Sequence, residues 1–312
     1  MTSPIPFGFS SNAADVLRGV DLSDRNVIVT GGAGGIGLET SRVLAAAGAA
    51  VTIAARRPEE AGRIVRELKR TIPDARLRVR PLDLADLSSV RKFVDSWNEP
   101  LHVLVNNAGI MAIPNLQRTT EGRELQFATN YLGHFALALG LHPHLAKADG
   151  ARVVSVASAG NLFAPMFWDD PDFRFIPYDP LLAYAQSKTA CILMSLGIKQ
   201  QWANDGITSN ALNPGAIATG LQKHTGGLRT PEHLRKTIEE GASTSVLLAG
   251  SPLVDGISGR YFDDCQEAPV VDERGSGPFI GVARYAVDGG NAARLWSMAT
   301  RMLAGVNGDG LP

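Results

Sequence analysis

Tyr184 and Lys188 stand four residues apart in Tyr184-Ala-Gln-Ser-Lys188, at the head of a run with no Gly or Pro until Gly197. The run is rich in helix formers. On a helix, residues four apart share one face, so the phenol and the ammonium can occupy one small volume. A free phenol titrates near pH ~10 and is a poor base at neutrality. A fixed ammonium beside it favours the phenolate, which gives a proton donor and acceptor usable near pH ~7. In a chain with five Tyr the pair also arises by accident, so its meaning depends on what else converges on it.

The elements upstream build a nucleotide site. Asn26-Val-Ile-Val-Thr30 is a short β-branched run that ends in Thr30-Gly-Gly-Ala-Gly-Gly-Ile-Gly37, and residues 38–47 continue with helical periodicity. Strand, Gly-rich turn and helix bring bare backbone N–H groups to a pyrophosphate at the positive end of the helix. The next strand, residues 50–54, leads into Arg56-Arg57. At that strand end an acid would bond a free ribose 2′-hydroxyl, whereas two Arg suit a 2′-phosphate, so NADP(H) is expected over NAD(H). The competing possibility is that both Arg are merely solvated at the start of a helix over 59–70. A strand over 76–82 ends at Asp83-Leu84. A helix over 87–97 and a strand over 101–105 then lead to Asn106-Asn-Ala-Gly109. The alternation predicts an α/β chain with one doubly wound, Rossmann-type parallel sheet and helices on both faces.

The second half carries the polar residues of a reaction. Periodicity predicts a long helix over 121–141 with Asn130 in its middle, either facing solvent or buried and hydrogen-bonded. Residues 151–157 read as a central strand with Ser158 at its carboxyl end, where open α/β sheets hold ligands. Ser155, inside the strand, reads as structural. Residues 207–212 form another strand, ending at Asn213-Pro-Gly-Ala-Ile-Ala-Thr219. Residues 221–239 read as a lid of small helices, 259–262 as a last strand, 271–281 as loop and 291–303 as a final helix before a Gly-rich tail.

The ordered set Thr30-Gly-x-x-x-Gly-x-Gly37, Asp83, Asn106-Asn-Ala-Gly109, Asn130, Ser158 and Tyr184-x-x-x-Lys188 resembles the short-chain dehydrogenase/reductase family over about residues 20–290. Asp21-Leu-Ser, Asn130-Tyr-Leu-Gly-His-Phe135, the long segment before Tyr184 and Tyr261-Phe-Asp-Asp-Cys-Gln-Glu-Ala268 are similar to the retinol dehydrogenase and WW-domain oxidoreductase branch. The resemblance implies a catalytic tetrad of Asn130, Ser158, Tyr184 and Lys188. It implies cofactor contacts at Gly31, Gly35, Ile36 and Gly37, with Asp83 and Leu84 at the adenine. Asn107, Ala108 and Gly109 would lie on the ribose side, and Pro214, Gly215, Ile217 and Thr219 by the nicotinamide. Lys188 would also hold the ribose hydroxyls, and Asn130 a water that links Lys188 to solvent. No membrane anchor is expected before the domain, unlike that branch. Two copies could pair through 121–141 and 187–202, unless the C-terminal part covers that surface.

Residues 159–183, between Ser158 and Tyr184, are rich in aromatics and Pro. Either they pack on the globule, or Phe163, Met166, Phe167 and Trp168 wall a pocket for a bulky apolar carbonyl or alcohol. The second reading is the expectation taken here.

Bulk properties exclude other classes. At 312 residues one large α/β domain is expected over 26–290, with an arm at 1–25 and a helix and tail at 291–312. A net charge of −1 gives no basic surface for nucleic acid. Cys191 and Cys265 lack metal spacing and read as reduced thiols of a cytoplasmic protein, and none of the six His shows a metal pattern, so no metal is assigned. The N-terminus shows no basic segment before an apolar core, so no signal peptide is expected, and no apolar run of membrane-spanning length is evident. A sugar-nucleotide epimerase or dehydratase also uses Tyr-x-x-x-Lys but carries Gly-x-x-Gly-x-x-Gly in its first turn. A non-catalytic NADP(H) sensor would be expected to lose a tetrad member. An interaction module would need a repeat, a coiled coil or a charged tail.

Overall fold

The computed structural model describes residues 5–277 and 279–305, so the expected tail lies outside the described residues apart from its first positions. In chain order the main elements are α1 (Ala13–Val16), β1 (Asn26–Thr30), α2 (Gly35–Ala46), β2 (Ala50–Ala55), α3 (Pro58–Thr71), β3 (Leu77–Pro81), α4 (Leu87–Asp95) and β4 (Val103–Asn106). Then come α5 (Leu125–Phe127), a π-turn at Ala128–Leu132, α6 (Gly133–Ala146), β5 (Arg152–Val156), α7 (Pro180–Gln201) and β6 (Thr208–Asn213). The short strands β7 (Ala216–Ile217) and β8 (Arg235–Lys236) precede α8 (Ile238–Gly250), β9 (Tyr261–Asp263) and β10 (Gln266–Glu267). β11 (Val270–Val271), β12 (Val282–Ala283) and α9 (Gly289–Ala304) complete the chain.

The sheet runs β3-β2-β1-β4-β5-β6-β9-β10, parallel except for β10. This is the doubly wound sheet read from the sequence. Its strand order reverses between β1 and β4, and open sheets of this kind bind ligands at such a switch point, beyond the carboxyl ends. Both faces are covered, which is why β1, β4 and β5 are largely apolar runs. On one face Leu104 and Val153 join Leu141 of α6, Leu193 of α7 and Leu295 of α9. On the other, Val29, Val105 and Val154 join Val43 of α2 and Val246 of α8.

Four local features depart from the sequence reading. The α2 helix begins inside the glycine turn, at Gly35, because Gly31 and Gly35 take positive φ and fold the turn back on itself. The helix expected over 121–141 starts only at Leu125. Gly122 has φ +76°, and the Glu124 carboxylate caps the helix by accepting the Gln126 and Phe127 N–H groups. α7 starts four residues before Tyr184, where Asp179 accepts the Leu181 and Leu182 N–H groups and Pro180 supplies the first turn. Residues 271–281 are not wholly loop, since Val271 pairs in register with Ala283.

α7 also corrects the membrane expectation. By length and composition this 22-residue helix could span a bilayer, since an 18-residue window of it has mean hydropathy 1.3. However, 83% of that window is buried, under the sheet on one side and α9 on the other, so it is a core helix. Trp296 of α9 sets its ring edge-on to Phe135 of α6 and to Trp202 at the end of α7. A side chain at Gly197 would meet that indole at 3.0 Å, so the close approach of α7 and α9 needs this glycine. The outer surface shared by α6 and α7 thus carries α9 of the same chain.

Leu295→Ala in this seam should lower unfolding free energy by about 2–5 kcal/mol, the scale for a buried leucine. Urea unfolding checks it; a loss of a few tenths of a kcal/mol would mean that α9 is only loosely held.

Candidate active site

One cavity of about 1060 Å³ runs along the carboxyl ends of the strands. Its floor is backbone. A Cβ at Gly31 would lie 3.0 Å from Ala108 Cα, and one at Gly37 would fall 2.3 Å from Asn107 Nδ2. Neither position tolerates a side chain, so the turn stays bare where phosphates would approach helix α2. Gly31, Gly35, Ile36, Arg56, Arg57, Asp83 and Leu84 all line the cavity, as do Asn107, Ala108 and Gly109. Gly37 lies one layer behind, against Asn107.

The Thr30 hydroxyl joins the two turns. It receives the Asn107 and Ala108 N–H groups at 2.9 and 3.0 Å, while Asn107 Nδ2 donates to the Thr30 carbonyl at 2.8 Å. The same hydroxyl lies 2.8 Å from His134 Nε2. His134 Nδ1 faces the Asn130 carbonyl at 2.8 Å. A carbonyl only accepts, so Nδ1 carries the proton and Nε2 accepts from Thr30. Burial, reinforced by the Lys188 charge, holds His134 down to about 4, so it is neutral at pH 7.

At the other end of the cavity stand Ser158, Tyr184 and Lys188. A Cβ at Gly160 would sit 3.4 Å from the Tyr184 ring and 3.5 Å from Ser158 Oγ, so both reach toward this glycine. Ser158 Oγ accepts the Gly160 N–H at 3.1 Å, which leaves its own proton for another acceptor. Lys188 Nζ donates to the Val156 carbonyl at 2.8 Å and lies 5.7 Å from the centre of the Tyr184 ring. Asn130 is buried behind this wall. Its amide is committed to Ile110, through both N–H and C=O, and to Ser187 Oγ. Ser155 is fully buried inside β5 and does not reach the cavity.

Pro214, Gly215, Ile217 and Thr219 form the near wall. Gly215 has φ +89° and the Lys236 stem lies beneath it. Thr219 and Gln222 cap the helical turn Gly220–His224, and Gln222 Nε2 also donates to the Ile217 carbonyl at 2.9 Å. The expected lid therefore consists of short helical turns stitched to this wall.

Phe163, Met166, Phe167 and Trp168 do not line this cavity. The expectation that they wall a substrate pocket is corrected. Phe163 packs edge-on against Phe279 with Arg274 over its ring, and Phe167 packs on Phe173. Met166 is buried in the core cluster and Trp168 lies under Arg294 of α9. The aromatic segment serves as packing because its partners come from the C-terminal region and from within the segment itself. The cavity wall beyond Tyr184 is instead Met111, Ala112, Pro114, Pro180 and Leu181. Sequence reading passed over these, since no periodicity marks a loop as a wall.

Gly160, His134 and Asn213 were also missed. Asn213 accepts the Ala159 N–H through Oδ1 and donates from Nδ2 to Asp263, whose carboxyl burial pushes up to about 6. The only sequence signal for His134 was its place in Asn130-Tyr-Leu-Gly-His-Phe135.

A family model described as short chain dehydrogenase matches residues 25–170. A protein of Streptomyces lividans named Probable oxidoreductase is 48% identical over 298 residues, covering 91% of this chain and 99% of its own. Polyprenol dehydrogenase of Mus musculus is 37% identical over 300 residues, covering 91% and 85%. A crystal structure of an uncharacterized protein from Mycobacterium paratuberculosis superposes with a TM-score of 0.74 at 32% identity, over 94% of this chain and 97% of that one. The chain belongs to the short-chain dehydrogenase/reductase family and is an oxidoreductase.

Because the His134 pKa is lower in the folded chain than its ordinary 6.5, the unfolded chain binds the extra proton as pH falls from 6.5 toward 4. The stabilisation is present above that window and lost through it. His134→Leu should make the acid fall of stability shallower there by at most about 3 kcal/mol, measured by urea unfolding across pH. An unchanged slope would show that His134 takes up its proton without unfolding.

Proposed function

We propose that this protein is an NADP(H)-dependent enzyme that interconverts a carbonyl and an alcohol on a bulky apolar substrate, with Tyr184 as proton donor and acceptor. The observation that carries this reading is the approach of Ser158 and Tyr184 to Gly160, beside Lys188 and a wall of Met111, Ala112, Pro114, Pro180 and Leu181. Apolar walls around a few convergent polar groups suit a large hydrophobic ligand. The mouse relative, a polyprenol dehydrogenase by name, agrees with that class.

When bound, the nicotinamide gives or takes the hydride. The chain's own residues handle the proton and the developing charge. In reduction the Tyr184 hydroxyl delivers a proton to the substrate oxygen, and in oxidation it takes that proton back. Ser158 donates a hydrogen bond to the same oxygen as it gains negative charge. The Lys188 ammonium, held by the Val156 carbonyl, keeps a positive charge beside the Tyr184 ring. Its remaining donors are available to ribose hydroxyls. Asn130 holds the Ile110 backbone and Ser187, and so fixes the loop after β4 against α7, since its side-chain amide is fully used there.

For the cofactor, Arg56 and Arg57 edge the cavity at the end of β2 and suit a 2′-phosphate. They are unequal. Arg57 Nη1 pairs with Glu60 at 2.8 Å, and Glu60 lines the same cavity. Arg56 therefore carries most of the preference.

Tyr184→Phe should bind cofactor normally yet lose turnover by about a hundredfold or more. The assay uses a panel of long-chain apolar ketones, aldehydes and alcohols beside sugars and short acids. Near-normal turnover in the variant would remove Tyr184 from the proton transfer, and a preference for the polar substrates would remove the apolar class. Arg56→Ala should raise KM for NADPH about tenfold or more and leave NADH nearly unchanged, the scale of one charge-assisted phosphate contact. Equal losses for the two cofactors would mean that Arg56 does not read the 2′-phosphate.

A further inference from the structure

The segment just before Tyr184 exposes apolar side chains at the cavity mouth. Phe175 is 89% exposed and Leu181 56%, with Ile176 and Leu182 also outside. Leu181 belongs both to this surface and to the cavity wall. Leaving several large apolar groups of one short segment in water is unfavourable, and such exposure marks an interaction surface.

The patch is built rather than frayed. The buried Asp170 carboxylate accepts three successive N–H groups, those of Arg174, Phe175 and Ile176, at 2.7–2.8 Å. These bonds hold the loop so that Phe175 points outward. Arg118 donates to the Asp172 and Phe173 carbonyls, and Arg123 pairs with Asp172 at 2.9 Å. Tyr178 donates to the Ile113 carbonyl, next to Pro114 of the cavity wall, and Gln126 bonds both Tyr178 and the Pro180 carbonyl. The exposed side chains are thus presented by a braced frame at the edge of the cavity.

Exposed cations outnumber exposed carboxylates along the cavity rim, Arg56, Arg57, Lys223 and Arg229 against Glu60 and Asp179. Arg174 is exposed beside Phe175, and Lys223 and Arg229 are exposed on the lid while lining the same cavity. Of the carboxylates between 169 and 179, Asp170 and Asp172 are buried, whereas Asp169 and Asp179 are exposed and Asp179 also lines the cavity.

We propose that Phe175, Ile176, Leu181 and Leu182 dock the cavity mouth on an anionic lipid surface, so that an apolar substrate passes from the lipid into the site without crossing water. This rests on the proposed apolar substrate. Apolar side chains enter the headgroup region while basic side chains meet anionic lipids. Leu181, on both surfaces, is the threshold between lipid and cavity.

The test uses the full chain with phosphatidylcholine vesicles, with and without phosphatidylglycerol, and the variant Phe175→Ser/Ile176→Ser. Neither residue lines the cavity. Wild type should sediment with the anionic vesicles, and less so as salt screens the charges. The double variant should bind at least about tenfold more weakly, the scale of withdrawing two large apolar side chains from lipid. Turnover of a long-chain alcohol embedded in the vesicles should fall in parallel. Turnover of a shorter soluble alcohol, and Tm, should stay unchanged. The idea is overturned if wild type binds neither vesicle, or if the variant binds as well as wild type. It is equally overturned if wild type is a dimer by light scattering that the variant dissociates, since the patch would then serve a second copy. If neither alcohol is turned over, the proposed activity fails, while vesicle binding still decides the docking surface.

Discussion

The Thr30 hydroxyl is the point on which the site depends. It receives two N–H groups from the Asn107–Ala108 turn and gives its proton to His134, which in turn grips the Asn130 carbonyl. One buried oxygen thereby ties the glycine turn after β1, the turn after β4 and the π-turn before α6. Such a network is stable only when every member is satisfied, because an unpaired buried donor costs about 1–3 kcal/mol. The arrangement explains why the π-turn can persist at Asn130. The Asn130 carbonyl lies in that turn, and His134 and Cys191 both donate to it.

From this joint the two ends of the cavity follow separately. The phosphate end is a matter of absence: bare glycines at Gly31 and Gly37 let two turns close on each other without side chains. The reacting end is a matter of presence, with Ser158 at the tip of β5 and Tyr184 in the second turn of α7. Gly160 lies between them, and its missing side chain is what lets a serine at a strand end and a tyrosine on a helix reach one space. The Asn213–Asp263 pair, at the ends of the neighbouring strands β6 and β9, fixes that strand end through the Ala159 N–H.

What the sequence made legible was local. Strands β1, β2 and β5 announced themselves as apolar runs ending in small or polar residues. Together with the glycine turn they gave the sheet and its ligand edge to within a residue or two. Ser158 stood out at a strand end and Tyr184 and Lys188 at a helical spacing, whereas the tetrad as a set, with Asn130 in it, came from the resemblance to the family. Residues 159–183 were misjudged because composition says that aromatics must be covered but not by what. Phe163 is met by Phe279 and Trp168 by Arg294, more than a hundred residues onward. The late start of the helix at Leu125 was hidden for a related reason. Residues 121–124 carry no apolar side chain and would suit an exposed first turn equally well, so the boundary is set by the positive φ of Gly122 and the Glu124 cap.

The seam between α7 and α9 has a consequence for how the chain comes to exist. α7 carries Tyr184 and Lys188, yet part of its apolar surface is covered only by a helix synthesised after every strand of the sheet. During translation the glycine turn, β1 to β4 and helices α2 to α4 can assemble before α9 exists, although Val29, Val43 and Val105 also wait for Val246 of α8 to cover them. The catalytic helix then emerges with its outer face uncovered and waits for Trp296 and Leu295. In that interval an apolar helix of membrane-spanning length lies open to chaperones, bilayers or a neighbouring copy. A ribosome that stalls before α9 would therefore release a protein with a formed nucleotide fold and an unsealed catalytic helix, one prone to aggregate rather than merely inactive.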